Sequence, residues 1–192
     1  MKKNKRFTVH VKRKRTKKTN YAKRLEYVKS QKTRLVIRPH ANNITIQFVK
    51  YEPKSDKILT TTHSQELRKI NWHYHLGNIP SSYLTGLLCG VKAKQKNVHE
   101  AILDTGLHKS SKGSRIYAAL KGVIDAGIHV PHSEEILPDK ETIEGKKIEN
   151  YAKILSQSQN EYKRQFSSYL KNNTKPEEIS KKFEEVKSKI IK

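Results

Sequence analysis

The positive charge of this chain is concentrated at its N-terminus. Of the first 40 residues, 16 are Lys or Arg and only Glu26 is acidic, so this segment carries about +15 of a formal net charge of +23. It has almost no apolar side chains to bury, and ordering a backbone costs about 1–2 kcal/mol per residue. The pattern predicts an arm that lacks order until a polyanion neutralises it, with nucleic acid as the partner. The alternative is a solvated basic tail that serves only solubility or targeting.

The rest of the chain has a more ordinary composition. Residues 41–145 carry a net charge of +2 and residues 146–192 a net charge of +6, so only the middle resembles a typical globular domain. We therefore expect an arm at 1–32, a domain at 33–145 and a Lys-rich helical extension at 146–192. The extension could pack on the domain, on itself or on RNA.

Cysteine usage and hydropathy exclude several classes of protein. The single Cys89 rules out an internal disulfide and a thiolate zinc site, which favours a reducing, cytoplasmic location. No run of about 20 apolar residues could span a bilayer, so we expect no membrane partner. Lysines outnumber arginines 32 to 9, which favours recognition of RNA shape over reading of bases.

Hydrophobic periodicity predicts an α/β fold, with helices packed on a mixed β-sheet in a sandwich. In the first strand, Leu35 and Ile37 alternate with Arg34 and Arg38, which predicts one core face and one basic face. The element order is strands near 34–38, 44–51 and 57–63, a helix from Ser81, a strand near 98–103 and a helix that ends with Gly127 as a left-handed cap. In the first of these helices, Gly86 and Gly90 would allow a close approach to the sheet.

Several polar groups of the domain are candidate functional residues. The loop at 107–115 joins a strand to a helix N-terminus, so it could hold an RNA phosphate or be a solvated turn. It lacks the spacing of a nucleotide-binding loop. We expect Asp104 to brace this loop and Cys89 to be a core residue. His73 and His75 lack further metal ligands nearby, so no metal or cofactor is predicted.

No catalytic constellation is visible, so we do not expect an enzyme or a small-molecule substrate. The competing hypothesis is an enzyme that uses Asp104, His108 or Cys89. Tyr21 and Tyr27 could stack on bases or pack on the domain. The residues predicted to contact RNA lie in the arm, on the outer sheet face and in the loop before the second helix: Arg6, Lys12, Arg13, Lys14, Arg15, Lys17, Lys18, Asn20, Tyr21, Lys23, Arg24, Arg34, Arg38, His40, Gln47, His63, His108, Lys109, Lys112 and Arg115.

Long ordered blocks carry a family resemblance across most of residues 16–145. They are 18–25 (KTNYAKRL), 34–38 (RLVIR), 81–88 (SSYLTGLL), 101–108 (AILDTGLH), 112–122 (KGSRIYAALKG) and 126–138 (AGIHVPHSEEILP). With these blocks the chain resembles the large-subunit ribosomal protein family L-eighteen, in its archaeal and eukaryotic branch.

The resemblance implies a non-catalytic protein with a mixed α/β sandwich that binds 5S rRNA and helps attach it to large-subunit rRNA at the central protuberance. It implies neighbouring ribosomal proteins as further partners and a cytoplasmic ribosome as the location. A module that binds structured RNA outside the ribosome is the alternative. By the resemblance, the arm lies along RNA, and the contacts carried over are Lys17, Lys18, Tyr21, Lys23, Arg24, Arg34 and Arg38.

Overall fold

A computed structural model describes residues 9–191. The four strands are β1 (Arg34–Pro39), β2 (Ile44–Lys50), β3 (Lys57–His63) and β4 (Ile102–Asp104). The helices are α1 (Lys12–Arg15), α2 (Tyr21–Ser30), α3 (Ile79–Lys94), α4 (Arg115–Asp125), α5 (Lys140–Glu144), α6 (Lys146–Leu155), α7 (Gln159–Gln165), α8 (Ser167–Lys171) and α9 (Ile179–Ile191). Short 3₁₀ turns lie at Ser64–Ile70, Glu134–Ile136 and Pro176–Glu178.

The strands form one mixed sheet in the order β3-β2-β1-β4. The first three pair as an antiparallel meander, and β4 lies parallel to β1, which requires the crossover that contains α3. This confirms the predicted α/β class. The fourth strand is shorter than predicted because the Ala101 amide donates to the His129 carbonyl at 3.0 Å, in a separate bridge with the segment after α4.

One face of the sheet is packed against α3 and α4. Leu35, Ile37, Ile46 and Phe48 are fully buried there, as their alternation predicts. Cys89 on α3 is also fully buried, and this burial raises the pKa of its thiol to about 12. The prediction that Cys89 is a core residue is confirmed.

Helices α3 and α4 cross in close contact through glycine. A Cβ added to Gly86 would lie 2.0 Å from the Ala119 carbonyl oxygen, and one added to Gly122 would lie 2.2 Å from the Tyr83 carbonyl oxygen. Neither helix could then keep its present separation. The expected approach of the glycines to the sheet is wrong: they serve contact with α4, because a helix stripe alone does not say which neighbour it meets.

The end of α4 is closed by the predicted glycine cap. Gly127 has φ +94°, a conformation that suits a residue without Cβ. Its amide donates to the Ile124 carbonyl at 2.8 Å, and the Ile128 amide donates to the Val123 carbonyl at 3.4 Å. This pair of bonds is the Schellman motif, and it turns the chain back toward the sheet.

The C-terminal extension packs on the domain. Ile179, Phe183, Val186 and Ile190 of α9 are buried in a second apolar cluster together with α3. The rings of Phe183 and Tyr83 have centroids 5.5 Å apart. The sequence leaves open whether the extension packs on the domain, on itself or on RNA. The structure therefore shows that it packs on the domain. Within residues 9–191, no helix has the length and apolar character needed to cross a membrane.

Candidate nucleic-acid interface

A groove of about 680 Å³ lies on the outer face of the sheet. Helix α2 with the segment before it, strands β1 and β2, and the loop after β4 form its walls. Half of the residues predicted to contact RNA line this groove: Arg13, Lys18, Asn20, Tyr21, Lys23, Arg24, Arg34, Arg38, Gln47 and His108. Residues far apart in sequence thus form one basic concave surface.

Polar contacts, rather than apolar packing, hold α2 over the sheet. The helix begins at the Asn20 cap, whose Oδ1 accepts from the Lys23 amide at 3.2 Å, and it contains no buried residue. The Tyr27 hydroxyl donates to the Leu103 carbonyl at 3.2 Å, and Arg24 Nη2 donates to Asp56 Oδ2 at 3.0 Å. The expectation that the arm lacks order is therefore wrong for Tyr21–Ser30, because the cap and these two anchors give that segment a fixed place.

Arg34 lies on the predicted outer face but is not exposed. Only 5% of the residue is accessible, because α2 and two carboxylates enclose it. Its Nη2 lies 2.7 Å from Asp56 Oδ2 and its Nη1 lies 3.2 Å from Asp104 Oδ2. The exposure expected of Arg34 on this face is not found, since its guanidinium is enclosed and paired with two acids, and its contact with RNA stays a prediction. Alternation along a strand reports the face of a residue, not what covers it.

Arg38, two residues further along β1, opens into the groove. Its Nη2 donates to Asp104 Oδ1 at 2.9 Å, and its Nη1 donates to the carbonyls of Ile37 and Asp104 at 2.9 and 2.6 Å. About a third of its side chain is exposed. Asp104 Oδ1 also accepts from the Gly106 amide at 2.8 Å, so the prediction that Asp104 braces this loop is confirmed.

Burial and charge in the groove shift two pKa values. Burial alone would raise the pKa of Asp56, but the hydrogen bonds and charges of Arg34 and Arg24 outweigh it and hold that pKa below its ordinary value. Burial, with the negative charge of Asp104, raises the pKa of Tyr27. At neutral pH, Asp56 is therefore an ionised partner of the arginines and Tyr27 keeps its proton to donate.

The segment before α2 adds exposed cations at the mouth of the groove. Lys12 to Lys18 are all exposed, and α1 buries none of its residues. Arg13 Nε donates to Thr19 Oγ1 at 2.8 Å, which fixes one guanidinium near the entrance. This surface therefore has many cationic groups that attract phosphate and few apolar contacts of its own.

Comparison with known proteins identifies the family of this chain. The family described as "Ribosomal large subunit proteins 60S L5, and 50S L18" matches residues 5–99 and 91–133. The large ribosomal subunit protein uL18 of Methanococcus maripaludis is 44% identical over 188 residues, which is 98% of this chain and 97% of that protein. The chain belongs to this ribosomal protein family. It is thus a structural protein of the large subunit in the cytoplasmic ribosome, of an rRNA-binding and non-enzymatic kind, as the resemblance implies.

Nine further residues predicted to contact RNA lie outside the groove. Among them, Arg115 Nη1 donates to the carbonyls of His40 and Gly77, each at 3.0 Å, and so clamps two turns together. His63 Nδ1 accepts from the Gln65 amide at 3.2 Å and caps a turn. The others are exposed: Lys12, Lys14, Arg15, Lys17, His40, Lys109 and Lys112. Arg6 lies outside the residues that the structure describes.

The loop at 107–115 is only partly available as a phosphate cradle. The Gly113 amide donates to the Ile136 carbonyl at 3.0 Å, and the Ser114 amide donates to the Ser111 carbonyl at 3.3 Å. Lys112 makes an exposed ion pair with Glu135 at 3.2 Å. For this member of the family, His108 at the groove and the exposed Lys109 are the more accessible groups of the loop.

Sequence reasoning missed Asp56 as a member of the site. It lies in the turn before β3, where an acid is ordinary turn chemistry, and the pattern along the chain gives no sign that it meets Arg24 and Arg34. The sequence leaves open whether Tyr27 stacks on a base or packs on the domain. Its hydrogen bond to the Leu103 carbonyl shows that it contacts the domain. Within residues 9–191, no three His, Cys, Asp or Glu side chains gather where they could hold a metal ion.

Proposed function

We propose that this protein binds 5S rRNA and helps attach it to the large-subunit rRNA at the central protuberance. The observation that carries the proposal is the basic groove, in which α2 and the outer sheet face form one concave surface beside a lysine-rich segment. The family match and the sequence resemblance support an rRNA partner. Neighbouring ribosomal proteins of the same region are the further partners in this proposal.

The proposal divides the molecule by task. The groove between α2 and the sheet docks on 5S rRNA, and the exposed cations of residues 12–18 continue onto large-subunit rRNA. The domain at 33–145 fixes where these groups are placed, and the extension at 146–192 supports the domain. Lysine ammonium groups act as point charges, so recognition depends on the course of the phosphate backbone more than on base identity.

We also propose that the protein has no catalytic activity. Of the three groups that an enzymatic reading would use, Asp104 is held by Arg34 and Arg38, and the Cys89 thiol has a pKa of about 12 in the core. A thiol in this state is a poor nucleophile at neutral pH. His108 is exposed and has no side-chain hydrogen-bond partner among the described residues.

Salt-dependent filter binding to a 5S rRNA transcript tests the RNA contact. Changing Lys17, Lys18 and Lys23 to Gln should weaken binding by at least tenfold and reduce the salt slope by about two to three, since each lost phosphate contact removes about 0.7–0.9. The matched control changes Lys140, Lys153 and Lys181 to Gln, three exposed lysines of the C-terminal helices. Equal losses in both triple variants, or an affinity that ignores salt, would contradict the proposal.

Removal of residues 1–30 separates binding from folding. We expect the shortened protein to keep the circular dichroism of the α/β domain and to lose most of its affinity for 5S rRNA. Collapse of the domain would mean that the arm is structural instead.

Sedimentation distinguishes the ribosomal role from that of a free RNA-binding module. A ribosomal component should migrate with large subunits after a moderate-salt wash, and its 5S rRNA should remain with it. Release of the protein at low salt would favour the free module.

A further inference from the structure

Two acids, one buried and one half-buried, lie in a groove that is otherwise made to attract phosphate. Asp56 and Asp104 both line it. Long-range electrostatics alone predicts that an acid at this place weakens RNA binding and that its removal strengthens binding. The two acids alternate with arginines in one chain of ion pairs across the groove floor, in the order Arg24, Asp56, Arg34, Asp104, Arg38.

Asp104 is placed to orient its neighbours, not to meet solvent or RNA. It is 6% exposed, and both of its carboxylate oxygens are occupied. Oδ2 lies 3.2 Å from Arg34 Nη1, while Oδ1 accepts from Arg38 Nη2 at 2.9 Å and from the Gly106 amide at 2.8 Å. A carboxylate with this many donors repels an approaching phosphate little, because its charge is already compensated.

Arg38 is the group that Asp104 presents to the groove. Both hydrogens of Nη1 are used by the carbonyls of Ile37 and Asp104. The guanidinium lies close over Gly106, where an added Cβ would be 3.0 Å from Cζ. Among the described residues, Nε–H and the second hydrogen of Nη2 have no acceptor, so two donors of a fixed planar group remain. Two such donors match two oxygens of one phosphate.

We propose that Asp104 is a positioning residue for RNA binding, which holds Arg38 so that its two remaining donors contact one backbone phosphate. The inference rests on the proposed binding of 5S rRNA and adds that this binding requires the Asp104 carboxylate. An acidic side chain in the interface strengthens RNA binding, and its neutralisation weakens binding although the protein becomes more positive.

A charge-matched pair of variants tests this proposal with the full-length protein and a 5S rRNA transcript. Asp104→Asn and Glu26→Gln each remove one negative charge beside the groove. Glu26 is exposed on α2 and takes part in no ion pair or side-chain hydrogen bond of the described residues. We expect Asp104→Asn to weaken binding about tenfold, the loss typical of one charge-assisted contact. Glu26→Gln should bind as tightly as the unchanged protein or slightly more tightly.

A double-mutant cycle with Arg38→Gln separates positioning from a general loss of structure. If Asp104 acts through Arg38, Asp104→Asn should cause little further loss of affinity once Arg38 is replaced. Equal losses in both backgrounds would overturn the proposal, and so would an Asp104→Asn variant that binds like Glu26→Gln.

Gly106→Ala provides a second route if Asp104→Asn does not fold. It changes no charge, places a methyl group against the Arg38 guanidinium, and strains the backbone at φ +65°. We expect a several-fold loss of affinity that disappears in the Arg38→Gln background, and unchanged affinity would overturn the proposal. If the unchanged protein shows no preference for 5S rRNA, the proposed function fails. The same cycle on large-subunit rRNA then decides the positioning role.

Discussion

The two lysine-rich ends of this protein look similar in composition but are attached in opposite ways. Helix α2 of the arm has no buried residue and is held by the ion pair of Arg24 and the hydroxyl of Tyr27. Helix α9 of the extension buries four apolar side chains against the domain. Net charge therefore does not determine how a basic helix is attached to the domain, whereas apolar side chains at helical spacing do.

The difference has a functional meaning. Polar anchors can be exchanged for contacts with RNA at little net cost, because one set of hydrogen bonds and ion pairs replaces another. Apolar burial cannot be exchanged in this way, because separation of α9 would expose Phe183 and Val186 to water. We therefore expect the arm to adapt to RNA and the extension to stay with the domain.

The largest expected effect contrasts an anchor of α9 with an apolar residue of α2. Phe183→Ala should lower the free energy of unfolding by about 3–5 kcal/mol, since it removes a buried ring and leaves a cavity. Leu25→Ala should cost less than about 0.5 kcal/mol, because Leu25 is 55% exposed. Urea unfolding followed by circular dichroism measures both. Similar small losses for the two variants would remove the contrast between the ends.

The next effect concerns the anchor of the arm. Asp56→Asn removes the ion pairs to Arg24 and Arg34 and leaves Arg34 buried with one carboxylate. We expect a loss of about 1–3 kcal/mol in unfolding free energy and weaker amide protection in α2 but not in α9. Asp139→Asn is the control, because the side chain of Asp139 is 82% exposed in its ion pair with Lys147. Loss of protection in α9 as well would show that the ends are coupled.

Acid should loosen the arm before the extension. The pKa of Asp56 in the folded protein lies below its ordinary value of 3.8. Its ion pairs thus contribute fully above that pH, and the contribution is lost as the pH falls through the folded pKa. Amide protection in α2 should fall below about pH 3.8 while that of α9 persists, because buried apolar side chains hold α9. This pH-dependent change in α2 should be absent from Asp56→Asn, and its presence in that variant would assign the change to another titrating group.

The smallest effect concerns the hydroxyl of Tyr27. Tyr27→Phe removes its bond to the Leu103 carbonyl and should cost about 1 kcal/mol, with faster amide exchange confined to α2. Tyr151→Phe is the matched control, because the Tyr151 ring is exposed and its hydroxyl has no partner among the described residues. Identical exchange in both variants would mean that Tyr27 does not anchor the arm.

Local features of the sequence predict much of the fold. Alternation gives the core face of β1, with Leu35 and Ile37 fully buried, and Gly127 marks the end of α4. Asp104 follows a strand and precedes a glycine turn, so its role as a brace was also visible. These features succeed because each depends on the geometry of a few neighbouring residues.

The site was predicted less completely because its parts meet across the fold. The burial of Arg34 depends on Asp56 and Asp104, which are 22 and 70 positions away in sequence. The pairing of Gly86 with Ala119 likewise depends on how α3 crosses α4. No periodicity within one element contains this information.

The sequence by itself determined the class of the fold, the basic character of the arm and the family to which the chain belongs. Periodicity and charge are properties of the chain that need no partner to be seen. Only the tertiary structure decided that α9 belongs to the core, that Arg34 is enclosed, and that Arg38 faces the groove. These outcomes depend on burial and on ion pairs between distant segments, and such contacts exist only after the chain has folded.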